Sequence, residues 1–275
     1  MNKKKLAVIG VGKLGEALIS GLLATGPLTA SDICGTVAHE SSIERVASKL
    51  SIAVSTDNAA AVGASDIVIF AIKPQNFALV LKQISPVVTK DHLLISVAAS
   101  ITTKYVEQRL SVAVPVIRAM PNTPSVLNVG MTGLCAGANT TREQLLLAES
   151  FFKSVGLTVL VDESLMDAVT ALSASGPAYL YVVMESLAEA GVKLGIPRET
   201  ATLLAAQTML GAASMALKTG AHPALLKDMV TTPAGCTIDG LMELEEGKLR
   251  VTLIKAVVKA AERARELVNT QSAKT

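Results

Sequence analysis

Two stretches of this 275-residue chain carry residue types whose spacing can do chemistry. The first, Gly10-Val11-Gly12-Lys13-Leu14-Gly15, follows a short β-branched run and precedes apolar residues at helical spacing, Leu14, Leu18 and Leu22. A G-x-G-x-x-G turn between a strand and a helix suits the pyrophosphate of a dinucleotide. Gly10 makes the turn, Gly12 allows close approach, Gly15 packs helix on strand, and the free N–H groups around Lys13 and Leu14 face the phosphates. The second stretch, KDMVTTPAGCTIDGLMELEEG from Lys227 to Gly247, interrupts the most helix-prone part of the chain. Pro233 and Gly235 end one helix there and another begins. The amides of Gly235, Cys236 and Thr237 then lack intrahelical partners and can hold a carboxylate. Thr237 either caps the new helix or offers its hydroxyl to a bound ligand.

An acidic residue about 20 positions beyond the glycines would hold the adenine ribose 2′-hydroxyl of NAD. This chain has Gly35-Thr36-Val37-Ala38 at that point; Asp32 comes too early and Glu40 too late. Thr36 can donate to a 2′-phosphate, with charge added by Arg45 or His39. The expected cofactor is therefore NADPH, with NADH as the alternative. FAIKPQ, SVAAS and RAMPNTP end at the same edge of the sheet, where ligands bind in open α/β folds. Ala71, Lys73 and Pro74, then Ala98, then Asn122 beside Thr123 are further cofactor-binding candidates, with Asn58 after the third strand. Ser173 and Ser175, in SASGPAY, read either as pocket-facing polar residues or as caps, and His222 before Pro223 reads as structural.

The elements that must position these residues follow from periodicity. Strands and helices alternate from Lys5 to about residue 125; GMTGLCAG and GLTVLVD add two strands around a helix from Thr141 to Lys153. This predicts a doubly wound, mostly parallel Rossmann sheet. Within it, SSIERVASKL reads as a helix opened by a serine cap. After Asp162 the strand signal ends. DESLMDAVTALSAS, GPAYLYVVMESLAEAGVKLG, PRETATLLAAQTMLGAASMALKTG and VTLIKAVVKAAERARELV read as helices, the last with a stripe of Val251, Ile254, Val258, Ala261 and Leu267. The expected division is an NADP-binding Rossmann domain over 1–163 and an all-α dimerisation and substrate-binding domain over 164–275.

Half the residues are hydrophobic and only 17% are charged, so some apolar surface is expected to be covered by another subunit. Leu203 to Leu217, broken by Gln207, Thr208 and Ser214, falls short of an unbroken membrane span. The net charge of +2 is spread along the chain without an aromatic-interleaved arginine run, which argues against nucleic acid. Three scattered cysteines and a start without an apolar leader predict a reduced, cytoplasmic protein. The sequence holds no cysteine cluster or histidine dyad, so no metal is expected, which suits chemistry carried by a cofactor.

ALSASGPAYLYVVMESLAEAGVKLGIPR followed by HPALLKDMVTTPAGCTIDGLMELEEGKLRVTLIKAV resembles the pyrroline-5-carboxylate reductase family. The likeness runs from the Gly10 turn through AIKPQ, SVAAS and RAMPNTP to the last helix, and Val230 to Glu243 is its most specific part. It implies NADPH-dependent reduction of the ring imine of 1-pyrroline-5-carboxylate to L-proline, the last step of proline biosynthesis. It also implies that Thr237 binds or protonates the ring nitrogen and that the loop amides of Gly235, Cys236 and Thr237 hold the carboxylate. Thr232 fills a position usually taken by serine or threonine, and Ser175 joins the expected substrate-binding set. Cys236 departs from the alanine or threonine commoner there. Homodimers interlocked through the C-terminal helices, further assembled into decamers, are implied as well. A hydroxyacid dehydrogenase would instead need a catalytic lysine on the helical half, where Lys193 in GVKLG lacks an asparagine-rich setting. A redox sensor would bind NADPH without oxidising it.

Overall fold

The computed structural model describes residues 4–25 and 28–273. The chain forms two compact units, one of residues up to Ser175 together with those from Lys259 onward, the other Gly176–Val258. The boundary expected after residue 163 falls earlier than this division, because the short turns that follow Asp162 pack with the sheet.

In the first unit β1 (Leu6–Ile9), β2 (Ile33–Thr36), β3 (Ala53–Ser55), β4 (Ile67–Phe70), β5 (Leu93–Ser96), β6 (Val116–Pro121), β7 (Gly130–Ala136) and β8 (Gly156–Leu160) form one sheet. Its order is β3-β2-β1-β4-β5-β6-β7-β8, and only the β6–β7 pair is antiparallel. The helices are α1 (Lys13–Thr25), α2 (Ile43–Leu50), α3 (Asn58–Gly63), α4 (Phe77–Ile84), α5 (Thr103–Glu107) and α6 (Arg142–Phe152). β1 and β4 are buried throughout, as parallel strands covered on both faces must be, and this is why their sequences are unbroken apolar runs. Alternate residues feed two cores: Leu6, Val8, Ile67 and Ile69 meet Leu18, Leu22, Phe151 and Phe152 on one face. Ala7, Ile9, Val68 and Phe70 meet Phe77, Leu81 and Val106 on the other. The strand order reverses between β1 and β4, which opens a crevice at their carboxyl ends.

Local sequence explains most helix ends. Thr141 opens α6 with a capping box, accepting from Gln144 N at 3.3 Å while its own N–H donates to Gln144 Oε1 at 2.9 Å. The serine cap expected for α2 is absent. Ser42 has helical dihedrals and continues a 3₁₀ turn over Glu40–Ser42, so its hydroxyl cannot cap. DESLMDAVTALSAS is not one helix either. It is a 3₁₀ turn over Glu163–Leu165, α7 (Met166–Val169) and a π-helical turn over Thr170–Ala174, where Ser175 N donates to Thr170 O at 2.9 Å.

The second unit contains α8 (Gly176–Lys193), α9 (Arg198–Thr219), α10 (Pro223–Met229) and α11 (Cys236–Glu246), and α12 (Leu249–Ala273) begins in it. Ala188, Ala201 and Ala205 bury the α8–α9 contact. Gly195 and Gly220, both at positive φ, close those helices as expected. His222 caps α10, its Nδ1 accepting from Ala224 N at 3.2 Å. Leu203, Leu210 and Leu217 of α9 and Val251, Ile254 and Val258 of α12 remain exposed in the single chain. Among the described residues α9 alone is long and apolar enough to cross a membrane, with 11% of its apolar window buried. The polar residues that interrupt Leu203 to Leu217 thus do not exclude a span by length and composition.

Candidate active site

The glycine turn is built as its spacing predicts. Gly10 has φ +89°, and a Cβ there would lie 2.5 Å from Ile72 Cγ2 and 3.1 Å from Ala71 O. A Cβ on Gly15 would stand 3.1 Å from Gly10 O, which measures how closely α1 packs on the turn. Gly12 faces open space, with nothing within 4 Å of a Cβ position. That space, beside the exposed start of α1 at Lys13, fits a pyrophosphate and its approach to the helix amides. A Gly12→Val chain is therefore expected to keep its melting temperature while its Kd for NADPH rises at least tenfold, read by fluorescence titration. Gly10→Val should instead lower the melting temperature, because the side chain meets Ile72 in a conformation that excludes it.

Thr36 lies at the end of β2 but is only 1% exposed. Its Oγ1 is 3.3 Å from Gly10 N, and its carbonyl accepts from Gly10 and Val11 at 3.1 and 2.8 Å. The hydroxyl thus holds the glycine turn and does not present itself to a 2′-phosphate. Arg45 donates to Glu16 Oε1 at 2.7 Å and Lys49 to Oε2 at 2.8 Å. Burial alone would raise the Glu16 carboxyl, but the bonds from Lys49 and Arg45 outweigh it and hold it below its usual range. His39 is exposed. Lys73 is exposed and has no ion pair among the described residues; Ala71 and Pro74 beside it are half-buried. Ala98 is buried just beyond β5. Asn58 opens α3 and donates to Gln83 Oε1 at 2.8 Å.

Asn122, at the end of β6, is bound on both sides. Its Oδ1 accepts from Met131 N at 2.8 Å and its Nδ2 donates to Ser173 O at 3.3 Å, so its amide ties the strand end to the π turn before Ser175. Ser173 Oγ is buried without a partner among the described residues. Four residues back on β6, Arg118 is 1% exposed. Its Nη2 lies 3.4 Å from Asp167 Oδ1 and its Nη1 3.9 Å from Glu163 Oε1. Glu163 also accepts from Thr103 N and Oγ1 at 2.7 and 2.6 Å. These groups fasten the segment from Glu163 to Ser175 to the sheet. Cys135 sits beside them, and burial first, then the Glu163 charge, pushes its thiol up to about 12. At pH 8 the folded chain should therefore leave Cys135 unalkylated by iodoacetamide while exposed Cys236 is labelled, as peptide mass spectrometry would show.

In the second unit the broken helix is a tight turn. Gly235 N donates to Thr232 O at 3.0 Å across Pro233 and Ala234, and Ala234 takes φ +58°. A Cβ on Gly235 would crowd the Thr232 hydroxyl and lie 3.1 Å from Thr232 O, so a larger residue there requires Thr232 to shift. Gly235, not Thr237, is the N-cap of the 11-residue α11. Its amide is used by the turn, which leaves Cys236 and Thr237 as the first two helical amides without intrahelical acceptors. Thr237 is half-buried; Thr232 and Cys236 are exposed in the single chain.

A glycine turn at the switch point of a parallel sheet defines a dinucleotide-binding fold, and the chain's relatives make its class an NAD(P)H-dependent oxidoreductase. Residues 5–100 match the family model described as NADP oxidoreductase coenzyme F420-dependent, and residues 163–267 the one described as pyrroline-5-carboxylate reductase dimerisation. The pyrroline-5-carboxylate reductase of Methanosarcina acetivorans is 45% identical to the chain over 97% of it and 99% of that relative. A solved pyrroline-5-carboxylate reductase from Coxiella burnetii superposes with TM-score 0.90 at 38% identity, covering 97% and 99% of the two chains. The Plasmodium falciparum pyrroline carboxylate reductase with NADP bound gives TM-score 0.86 at 29% identity over 98% and 99%. The chain belongs to the pyrroline-5-carboxylate reductase family. The dimerisation domain supports homo-oligomerisation, and the family supports a small-molecule substrate.

Proposed function

We propose that this chain reduces the C=N bond of 1-pyrroline-5-carboxylate to L-proline with NADPH, the last step of proline biosynthesis, using Thr237 at the ring nitrogen. The observation that carries the assignment is the pair of free amides on Cys236 and Thr237 at the start of α11, one residue from a sharp Pro233 turn. A ring carboxylate is held there by the amides and the helix dipole. The Thr237 hydroxyl, in the same turn, hydrogen-bonds the ring nitrogen and takes part in its protonation. Thr232 and Gly235 shape the turn, and Ser175 adds a polar contact to the substrate.

The nicotinamide, when bound, supplies the hydride to the ring carbon. Gly10, Gly12 and Gly15 with the amides of Lys13 and Leu14 hold the pyrophosphate; Asn58, Ala71, Lys73, Pro74, Ala98 and Asn122 line the rest of the edge, with Thr36 bracing the turn from within. Preference for NADPH over NADH rests on the Thr36-Val37-Ala38 strand end, which has no carboxylate to repel a 2′-phosphate. The exposed apolar faces of α9 and α12 support a homodimer through the C-terminal helices; further assembly into a decamer is what the family resemblance implies, and a cytoplasmic location rests on the three free cysteines. The test is loss of NADPH absorbance on adding 1-pyrroline-5-carboxylate, with NADH and a hydroxyacid series alongside. Oxidation with proline as product supports the reading. Bound NADPH that is never oxidised would sink it.

A further inference from the structure

We propose that the open edge of β8 pairs antiparallel with β8 of a second copy of this chain, joining two eight-stranded sheets across a two-fold axis. β8 ends the sheet and is bonded only to β7. Val161 N donates to Leu134 O at 2.9 Å, so alternation turns the N–H and C=O groups of Val159 toward β7 and those of Thr158 and Leu160 toward the open edge. Those groups have no backbone partner among the described residues. Leu157, Val159 and Leu160 are 57%, 39% and 40% exposed.

Natural edges are blunted by charge, proline, bulges or shortness. The opposite edge of this sheet uses shortness, since β3 has three residues. β8 has five, GLTVL, with no charge and no proline. The occupant is identified by continuity. The stretch matching the dimerisation model begins at residue 163, just past the strand, and exposed Leu165, which lines one hollow with Leu160, extends its apolar surface. A two-fold interface sets a strand against itself, and antiparallel pairing is the only arrangement that does so with ladder hydrogen bonds. With Thr158 on the axis, Leu157 faces Val159 of the second copy, a favourable apolar cross-strand pair.

The proposal is independent of the catalytic assignment, and its test reads assembly. Leu157→Cys, Thr158→Cys, Val159→Cys and Leu160→Cys are made singly in the full chain and oxidised mildly, with the native chain as the blank for its own three cysteines. Directly opposed strand residues have Cα atoms about 4.5–5.5 Å apart, within disulfide reach. The expected result is a chain-to-chain disulfide at 158, the position that faces itself across the axis, that the native chain does not form, and a Val159→Lys chain whose dissociation constant rises at least tenfold. No cross-link at any of the four positions in an assembly of native mass, or native association of Val159→Lys, would overturn it.

Discussion

Thr237→Ala is expected to lower turnover by about one to three orders of magnitude while NADPH binding stays nearly unchanged, as loss of one polar transition-state contact typically does. The substitution is clean because of where Thr237 lies. It is the second residue of α11, with Gly235 as the cap, so its hydroxyl does not hold the helix end and its removal should cost little stability. Its amide survives in alanine, so the substrate carboxylate keeps both N–H donors and KM should rise far less than kcat falls. Thr237→Ser, which restores the hydroxyl, should recover most of the rate. Steady-state kinetics beside a fluorescence titration of NADPH would check all of this. Native turnover in the alanine variant would remove Thr237 from the mechanism.

What could be read beforehand divides along a physical line. Apolar runs such as IVIF at Ile67–Phe70 declare buried parallel strands, and Gly10, Gly195 and Gly220 mark places where the backbone needs positive φ. These are local signals. Side-chain pairings are not. Arg45 looked free to meet a phosphate, yet Glu16 takes its guanidinium from 29 positions away. Thr36 had the right place on β2, but it is buried and its hydroxyl and carbonyl are taken up by the glycine turn at Gly10 and Val11. The short α3 escaped because six residues barely show a period. The π turn before Ser175 left no mark in DESLMDAVTALSAS; β6 fixes its surroundings through Asn122 and Arg118. Arg118 itself gave no warning, since nothing in RAMPNTP shows that Glu163 and Asp167, 45 and more positions on, lie beside it.

That placement makes Arg118 the strongest stability prediction. Arg118→Met should destabilise the sheet unit by about 3 kcal/mol, the lower end of the range for removing one partner of a buried pair, because Asp167 and Glu163 retain some solvent. For a unit of this size the loss corresponds to a melting temperature lower by roughly 6–12 °C. The cost is mostly the carboxylates left behind. Asp167→Asn added to Arg118→Met should therefore recover part of the loss, so that the double variant is more stable than the sum of the single effects predicts. Arg118→Lys should not rescue well, since an ammonium cannot span the two acids as the guanidinium does. Denaturant unfolding of the four chains gives the coupling directly. Strict additivity of Arg118→Met and Asp167→Asn would mean that the pair does not interact in solution, and that Glu163 and Asn122 carry the tie between β6 and the segment before Ser175.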